Sequence, residues 1–414
     1  MISIASLRDT DLTRVCEAWL PPSDSLTSFT DKRIWLMMSS LISFTRVSRF
    51  ACRLGLAVVA FGSLPFAATR AITIDWVTVG DAGNAADTDP SGYGAVSEAF
   101  QIMKYEFTNQ QYVDFLNSVA TVSDPYNYYA PVGQGGDPRC GVTRSGAAGS
   151  YVYSVKANMG DKPVNVVSSF DTARVCNWLH NGATGTSSTE TGAYTLNGQT
   201  TGTFPQPNPG ARYTLPTENQ WYKAAYYKGG GTSAGYWNYA TRSDTIPGKV
   251  TSGTTGVGSR PAGTGDFANF ASTADWNSLD GNVTTVGTNG GPSAYGAFDM
   301  TGNVWEWTST AANTAVLWTR GSAWDTADNG TLMSSANRSN QATTTQVNTL
   351  GFRLVSVPEP STYALTAMCT LAMGGLMARR RQTRVGGPRP TQTVNAHRLK
   401  TCATEEHRLK TCST

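Results

Sequence analysis

The segment Tyr295–Thr310, with the sequence YGAFDMTGNVWEWTST, decides how this chain is interpreted. It places Asp299 ahead of a Gly-Asn turn and then sets Glu306 between two tryptophans. Carboxylates and free backbone carbonyls are hard oxygen donors that suit Ca²⁺, whereas indole rings need a core in which to be buried. The segment therefore predicts a packed turn, an ion site, or both. The plain alternative is that Asp299 and Glu306 only form surface hydrogen bonds.

The N-terminal part of the chain is typical of a targeting sequence. The 414 residues are enough for two or three domains by length alone. Residues 38–71, however, contain arginines, the apolar run LGLAVVAFGSLPFA and then small residues, which is the pattern of a cleaved secretory signal. We interpret residues 1–37 as a mis-assigned or disordered leader. A signal-anchor helix is the alternative, but the apolar run is short for a membrane span.

The C-terminal part also predicts targeting. Residues 357–384 contain VPEPSTYAL, an apolar run and the cluster ARRR. The apolar run is at the short limit for a transmembrane segment, and the arginines would stay on the cytoplasmic side. The preceding domain would then face outward, in agreement with the N-terminal signal. Residues 385–414 contain HRLKTC twice and no apolar face, so we expect a disordered basic tail.

Residues 72–356 remain as one exported domain. Their richness in Gly, Ser, Thr and Asn, with few long apolar runs, favours an irregular, loop-rich α+β fold. Capping patterns predict three helices that begin after Thr108, Ser168 and Thr217, the last of them running to the glycines at 229–231. The β-rich runs AITIDWVTVG and GFRLVSV, at the two ends of the domain, predict terminal strands that pair in one sheet.

Composition excludes several function classes. The net charge is +3 with 15% charged residues and no basic stripe, so nucleic-acid binding is not indicated. His180 is the only histidine of the exported domain, which excludes a multi-histidine iron or zinc site within one chain. It ends a predicted helix, where a structural role is favoured over a catalytic one. Cys140 and Cys176 are the only cysteines of this domain, and the sequence leaves open whether they form a disulfide.

Six segments occur in the order seen in the formylglycine-generating, sulfatase-modifying-factor family. They are MKYEFTNQQYVDFLN, PVNVVSSFDTARVCNWL, RYTLPTENQWYKAAYY, AFDMTGNVWEWT, RGSAWD and GFRLV. The exported domain therefore resembles this family over almost its whole length. The resemblance implies an elaborated C-type-lectin-like fold. Separately, VPEPSTYAL with the apolar run and ARRR resembles the PEP-CTERM sorting signal of exported Gram-negative bacterial proteins.

The family resemblance also implies structural calcium. Carboxylate side chains and backbone carbonyls of the GNVWEW segment would hold one ion, with Trp305 and Trp307 packed into the core. The matching positions of this first ion site are Asp299, Gly302, Val304 and Glu306. A second ion site would use two side chains and two carbonyls. Its matching positions are Asn269, Phe270, Asp280 and Asn282.

The resemblance breaks at the cysteines that hold copper in the active enzymes. Those members oxidise a sulfatase cysteine with a copper ion bound by two cysteines between the RGGSW-like and GFR segments. Here no cysteine occurs from Asn177 to Met368. Soft Cu(I) selects thiolate ligands, and neither Ser nor Thr replaces them. We therefore expect no copper and no formylglycine-generating oxidase activity.

These features predict an exported, calcium-stabilised, non-catalytic recognition domain. Exosortase-type machinery would sort it from the inner membrane to the envelope or the exterior. Its ligand would be an extracellular polysaccharide or protein, contacted by aromatic residues in YNYYAPVG and GYWNYATRSD. One alternative is an enzyme of the same family with an unrecognised or partner-completed centre. Another is a structural matrix protein that self-associates.

Overall fold

The computed structural model describes residues 72–89, 92–260, 266–326 and 329–356. The chain divides into two units, 1–69 and 70–414, and every described residue belongs to the second. The predicted leader, secretory signal, sorting signal and tail lie outside the described residues. Among the residues in these ranges, none of the helices combines the length and the hydrophobicity of a transmembrane span.

Three α-helices form at the predicted capping boxes. They are α1 (Asn109–Val119), α2 (Ser169–His180) and α3 (Glu218–Tyr226). In each, the N-cap hydroxyl accepts a hydrogen bond from the backbone N–H three residues later, and the side chain there accepts one in return. The predicted end of α3 at the glycines is wrong. The helix stops at Tyr226 because Tyr227 is extended and forms a β-bridge with Tyr236.

The strands are short and are connected by long irregular segments. In chain order they are β1 (Trp76–Val79), β2 (Phe100–Met103), β3 (Val142–Ser145), β4 (Val152–Val155), β5 (Tyr213–Thr214), β6 (Gly248–Lys249), β7 (Thr251–Ser252), β8 (Gly258–Ser259), β9 (Phe267–Ala268), β10 (Trp305–Asn313), β11 (Val316–Arg320), β12 (Ser339–Ala342), β13 (Leu350–Gly351) and β14 (Val355–Ser356). A π-helical turn at Pro131–Gly135 and a 3₁₀ turn at Thr331–Met333 complete the regular structure. The predicted irregular α+β architecture is confirmed.

The first large sheet has the strand order β1-β2-β14-β5. The two ends of the domain therefore share one sheet, as predicted, but β2 lies between β1 and β14. Ile102 of β2 is opposite Val77 on one side and Val355 on the other. The sheet packs on both faces. One face contacts α3, and the other, which includes Met103 and Leu354, packs into the main apolar cluster with α1 and α2.

The second large sheet positions the WEW segment. Its order is β12-β11-β10-β13, with β13 parallel to β10. Trp307 is completely buried and its indole N–H donates to the Val167 carbonyl at 3.0 Å. Trp305 packs against the same main cluster. The indoles thus anchor the start of β10 in the core, as the sequence predicts.

Cys140 and Cys176 do not form a disulfide. Both thiols are free and buried. Cys140 packs with Ala130 and Val166, whereas Cys176 belongs to the main cluster, so the two cysteines belong to separate parts of the core. Burial raises the pKa of Cys140 to about 12 and also raises the pKa of Cys176. Burial therefore favours the neutral thiol form of both cysteines, which pack as small apolar groups.

Candidate functional site

Glu306 is the acidic centre of the WEW segment and is completely buried. The Arg353 guanidinium donates from Nε to Oε2 at 2.6 Å and from Nη2 to Oε1 at 2.7 Å. Trp221 Nε1 also donates to Oε2 at 2.7 Å. The contact between Arg353 and Glu306 is bidentate and charge-assisted, which places it among the strongest polar contacts in proteins. Both carboxylate oxygens that the resemblance assigned to an ion are therefore engaged by protein donors.

Asp299, the other carboxylate of the first predicted ion site, lies in a different environment. It is almost completely buried, with a left-handed backbone φ of 58°. Oδ2 accepts from the Gly287 N–H, and Oδ1 accepts from Asn289 Nδ2 at 3.1 Å. Burial raises the pKa of Asp299 to about 6. No cationic side chain among the described residues forms an ion pair with this carboxylate.

Glu106 is a buried acid that the sequence reasoning missed. Its Oε2 accepts from Asn303 Nδ2 at 2.9 Å, and its Oε1 has no hydrogen-bond partner among the described residues. Burial, followed by the charges of Asp299 and Glu306, raises its pKa well above the ordinary value. Its position between Tyr105 and Phe107, a few residues after β2, was the available signal, because an acid flanked by aromatic residues is expected to be partly buried. Three buried carboxylates thus interact with the single guanidinium of Arg353.

The second predicted ion site is only partly assembled. The Asn269 amide donates to the Asn282 carbonyl at 2.9 Å, to Thr284 Oγ1 at 3.2 Å and to Asn303 Oδ1 at 3.1 Å. Its own Oδ1 is buried and lacks a partner among the described residues. Two further predicted ligands are not brought to this cluster of oxygens. The Phe270 carbonyl accepts from Thr273, and Asp280 is exposed.

A buried polar network connects the two predicted ion sites. Thr284 contacts Asn289, which donates to Asp299. Gly302 lies beside Asn269 through a parallel β-bridge, and its left-handed φ of 84° leaves no room for a side chain because a Cβ would clash with the Asn269 carbonyl. The fourth residue of the first site, Val304, is completely buried in a small apolar cluster with Trp324. We call the set Glu106, Asn269, Asn282, Thr284, Asn289, Asp299 and Asn303 the polar network.

An open cleft of about 470 Å³ lies elsewhere on the domain. It is bordered by the residues before β1, the C-terminal end of α2 and the start of β5. Its lining residues are Ile72, Thr73, Ile74, Trp76, Leu179, Gly182, Ala183, Arg212 and Tyr213. The rings of Trp76 and Tyr213 stack with centroids 5.8 Å apart and an interplanar angle of 22°. The Arg212 guanidinium lies 5.7 Å from the centroid of the Tyr213 ring.

His180 positions Arg212, one of the residues that line this cleft, through two hydrogen bonds. It is the last residue of α2, and its Nδ1 accepts from the Arg212 backbone N–H at 3.2 Å. Its carbonyl accepts from the Arg212 guanidinium. An arginine at the last carbonyls of a helix satisfies acceptors that have no partner within the helix. The histidine therefore occupies the structural position that the sequence favoured.

Residues 73–357 match the family described as the sulfatase-modifying factor enzyme 1-like domain. The chain belongs to this family. The match includes β1, the polar network, β10 and Arg353, and it confirms the elaborated C-type-lectin-like fold that the six segments implied.

Solved structures with similar folds are distant in sequence. The structure of CarF is 21% identical, with a TM-score of 0.43, and the alignment covers 69% of this chain and 99% of CarF. Treponema denticola variable protein 1 is 17% identical, with a TM-score of 0.43 and coverage of 69% and 96%. PvdO from Pseudomonas aeruginosa is 18% identical, with a TM-score of 0.35 and coverage of 69% and 93%. No curated protein matches this chain.

In this sulfatase-modifying-factor domain, the interval that carries copper ligands in the active enzymes contains buried hydroxyl groups. Ser322 and Thr326 are hydrogen-bonded to each other, and Ser335, further along the same interval, is also buried. Across the described residues, no group of three or more His, Cys, Asp or Glu side chains lies close enough together to hold a metal ion. Any metal bound by these residues would need amide, hydroxyl or carbonyl oxygens as additional ligands.

The donors of the polar network fit calcium better than those at Glu306. Ca²⁺ accepts carboxylate, amide and backbone carbonyl oxygens together. The unpaired oxygens of Glu106 and Asn269, with the Asn282 carbonyl and the carboxylate of Asp299, supply that chemistry. If the Asn269 side-chain amide were flipped by 180°, its Oδ1 would point toward the Asn282 carbonyl, Thr284 Oγ1 and Asn303 Oδ1. A bound cation would stabilise these converging oxygens. Glu306 does not fit in this state, because Arg353 already neutralises it.

The aromatic loops that the sequence proposed for sugar binding are mostly part of the core. In YNYYAPVG, Tyr128 and Tyr129 are buried, and Tyr239 of GYWNYATRSD is buried as well. Tyr126, Tyr236 and Trp237 are partly exposed, and the Lys228 ammonium lies 4.2 Å from the centroid of the Trp237 ring. Packing therefore accounts for most of these aromatic residues.

Proposed function

We propose that this protein is an exported, non-catalytic member of the sulfatase-modifying-factor family that recognises an extracellular polysaccharide or protein. One observation carries the proposal: no cysteine occurs from Asn177 to Met368, where copper-dependent members hold their metal. Cu(I) requires soft ligands, and hydroxyl groups cannot take that role. A scaffold of this fold can retain binding loops without the chemistry of its relatives.

The two cysteines of the domain do not supply a substitute for the missing copper site. Cys140 and Cys176 belong to separate apolar clusters, and burial raises the pKa of both thiols. Copper ligation requires the thiolate form. Two buried thiols in separate clusters therefore support a binding role over an oxidase role.

We further propose that calcium stabilises the polar network. Asn269, Asn282, Asp299 and Glu106 would hold the ion, whose charge would offset the two buried carboxylates that the Arg353 guanidinium does not contact directly. At Glu306 the Arg353 guanidinium would take the place that the ion has in the family pattern, because it already neutralises this carboxylate. Gly302 and Val304 would contribute backbone carbonyl groups, as the family pattern implies.

Export and sorting complete the proposal. Residues 38–71 would direct secretion, and residues 357–384 would act as a PEP-CTERM signal read by exosortase-type machinery at the inner membrane. The domain would then reside in the cell envelope or outside the cell. Support comes from sequence: a charged, apolar and small-residue pattern at one end, and PEP, an apolar run and arginines at the other.

The test is elemental analysis of the full chain, exported into an oxidising compartment and purified without chelator. We expect about one calcium ion per chain, no stoichiometric copper or iron, and no aldehyde product when copper, oxygen and a cysteine-containing sulfatase peptide are added. Stoichiometric copper or iron, or an aldehyde product, would overturn the non-catalytic assignment and support the enzyme alternative.

A matched pair of variants tests the calcium assignment. Asn269→Ala should lose calcium. Asn165→Ala should retain it, although Asn165 is also a buried asparagine whose Oδ1 has no partner among the described residues. Asn165 donates to the carbonyls of Arg139 and Asn348, away from the polar network. Equal calcium content in both variants would contradict the assignment.

A further inference from the structure

We infer that the cleft formed by Trp76, Arg212 and Tyr213 binds a sugar ring that carries a carboxylate, such as a uronic acid residue within an extracellular polysaccharide. This inference rests on the proposed recognition function and gives it a site and a ligand class. It concerns a surface that is separate from the polar network and from the interval that carries copper ligands in active relatives.

The shape of the cleft suits a residue inside a polymer. Its volume of about 470 Å³ falls in the range of about 300–1,000 Å³ that small-ligand sites occupy. The cleft is open to solvent, so a polysaccharide could enter it without a free chain end. Ile72, Ile74 and Leu179 continue the apolar lining beside the aromatic pair.

The aromatic pair supplies the contact surface for a sugar ring. Trp76 and Tyr213 are both half-buried, and their nearly parallel rings both pack against the main apolar cluster. This packing holds them in place before a ligand arrives, so little side-chain entropy would be lost on binding. Aromatic faces present apolar, weakly negative surfaces that suit the C–H groups of a pyranose.

Charge selects an acidic sugar over a neutral one. Arg212 is the only charged side chain among the described residues that line the cleft. Its contact with the His180 carbonyl fixes the guanidinium at the edge of the cleft. Guanidinium has five N–H donors in a planar fork that matches a carboxylate. A carboxylate on a sugar ring that contacts the aromatic pair in the cleft would therefore meet a positioned donor group.

The Lys228–Trp237 pair provides an internal control. It is also an aromatic–cation contact at the surface, and its Trp237 belongs to the segment GYWNYATRSD, for which the sequence predicts sugar binding. It is not among the residues that line the cleft. A substitution there changes charge and surface aromatic character to a similar extent without altering the proposed site.

The experiment is calorimetric titration of the full chain with an acidic oligouronate, a neutral oligosaccharide of equal length, the free uronic acid monomer and an acidic peptide. We expect the oligouronate to bind most tightly, and Arg212→Gln to weaken it by about tenfold or more, since a charge-assisted contact is lost. Trp76→Leu should weaken oligouronate binding as well. Lys228→Gln should leave it unchanged.

Arg212→Lys keeps the charge but removes the planar fork, so its affinity for the oligouronate should lie between those of the native chain and Arg212→Gln. Native thermal unfolding of each variant establishes that the loss is local. Equal binding of acidic and neutral oligosaccharides, unchanged binding by Arg212→Gln, tighter binding of the acidic peptide, or loss of binding in Lys228→Gln would each overturn the inference.

Failure of the cleft inference differs from failure of the proposed function. Binding of a protein or a neutral polysaccharide that Arg212→Gln does not affect would remove the acidic-sugar site and leave the recognition role in place. Copper-dependent aldehyde formation would remove the non-catalytic assignment, whatever the cleft binds.

Discussion

The surroundings of Arg353 and Arg212 differ in how they use an arginine. Arg353 is completely buried, and its donors go to Glu306 and to the carbonyls of Met103 and Phe298. Arg212 is half-buried, faces no carboxylate in the described cleft lining, and has one guanidinium contact to the carbonyl of His180. The buried arginine is committed to holding the fold together. The half-buried one retains donors that a ligand can use.

The comparison shows why the most conspicuous motif is not the best place to look for a ligand. The WEW segment places Glu306 between two indoles, but the Glu306 carboxylate is already paired with Arg353 inside the protein. Removing charges from water is expensive, so a buried carboxylate with a bidentate arginine is a structural unit that is costly to separate. Recognition is favoured where a charge is positioned and still hydrated.

The largest expected effect comes from breaking the buried pair. Arg353→Met leaves Glu306 buried without its guanidinium, beside two other carboxylates, and should lower the free energy of unfolding by about 3–5 kcal/mol. Urea denaturation measures it. The control is Arg338→Met, since Arg338 is 28% exposed and shares Glu218 with the completely buried Arg320. A loss for Arg338→Met as large as that for Arg353→Met would contradict the distinction between buried and exposed arginines.

The next effect concerns the turn of the polar network. Gly302→Ala should lower the free energy of unfolding by roughly 2–3 kcal/mol, because a Cβ would clash with the Asn269 carbonyl at a left-handed φ. Gly210→Ala is the matched control, since Gly210 has a φ of 77° and open space around its Cα. It should lose only about 1–2 kcal/mol. Thermal or urea unfolding compares the two, and equal losses would show that backbone strain, not the packed turn, dominates at Gly302.

A pH effect of similar or smaller size should come from Asp171. Burial raises the pKa of this N-terminal α2 carboxylate to about 6, although Ser168 and Gln346 donate hydrogen bonds to it. A folded-state pKa above the unfolded value of about 3.9 means that the stabilising contribution is complete below about pH 4 and is lost as pH rises to about 6. Between those limits the native protein should lose roughly 3 kcal/mol relative to Asp171→Asn. Urea midpoints for both proteins across this range check it, and a constant difference would contradict the raised pKa.

The smallest effect on stability should come from the cleft. Arg212→Gln removes a contact to the His180 carbonyl from a half-exposed side chain and should lower the free energy of unfolding by about 1 kcal/mol or less. Thermal unfolding measures this change beside the binding titrations. A loss comparable to that of Arg353→Met would show that Arg212 is a structural residue, and the contrast between the two arginines would disappear.

Much of the fold could be predicted because its signals are local or carried by ordered motifs. The three capping boxes each involve residues three positions apart, so Thr108, Ser168 and Thr217 marked the helix starts directly. The six family segments indicated the architecture and the residues that match it. The end of α3 was missed because a tertiary contact, the bridge from Tyr227 to Tyr236, ends the helix earlier than the glycines would.

By itself, the sequence determined the family, the irregular α+β architecture, the helix starts and the absence of thiols from Asn177 to Met368. Only the tertiary structure decided that Glu306 pairs with Arg353, that Cys140 and Cys176 remain apart, and that the cleft combines Trp76 with residues more than a hundred positions later. The physical reason is range. Capping and turn preferences act between near neighbours in the chain, whereas the partner of a buried charge and the walls of a cleft depend on which distant segments pack together.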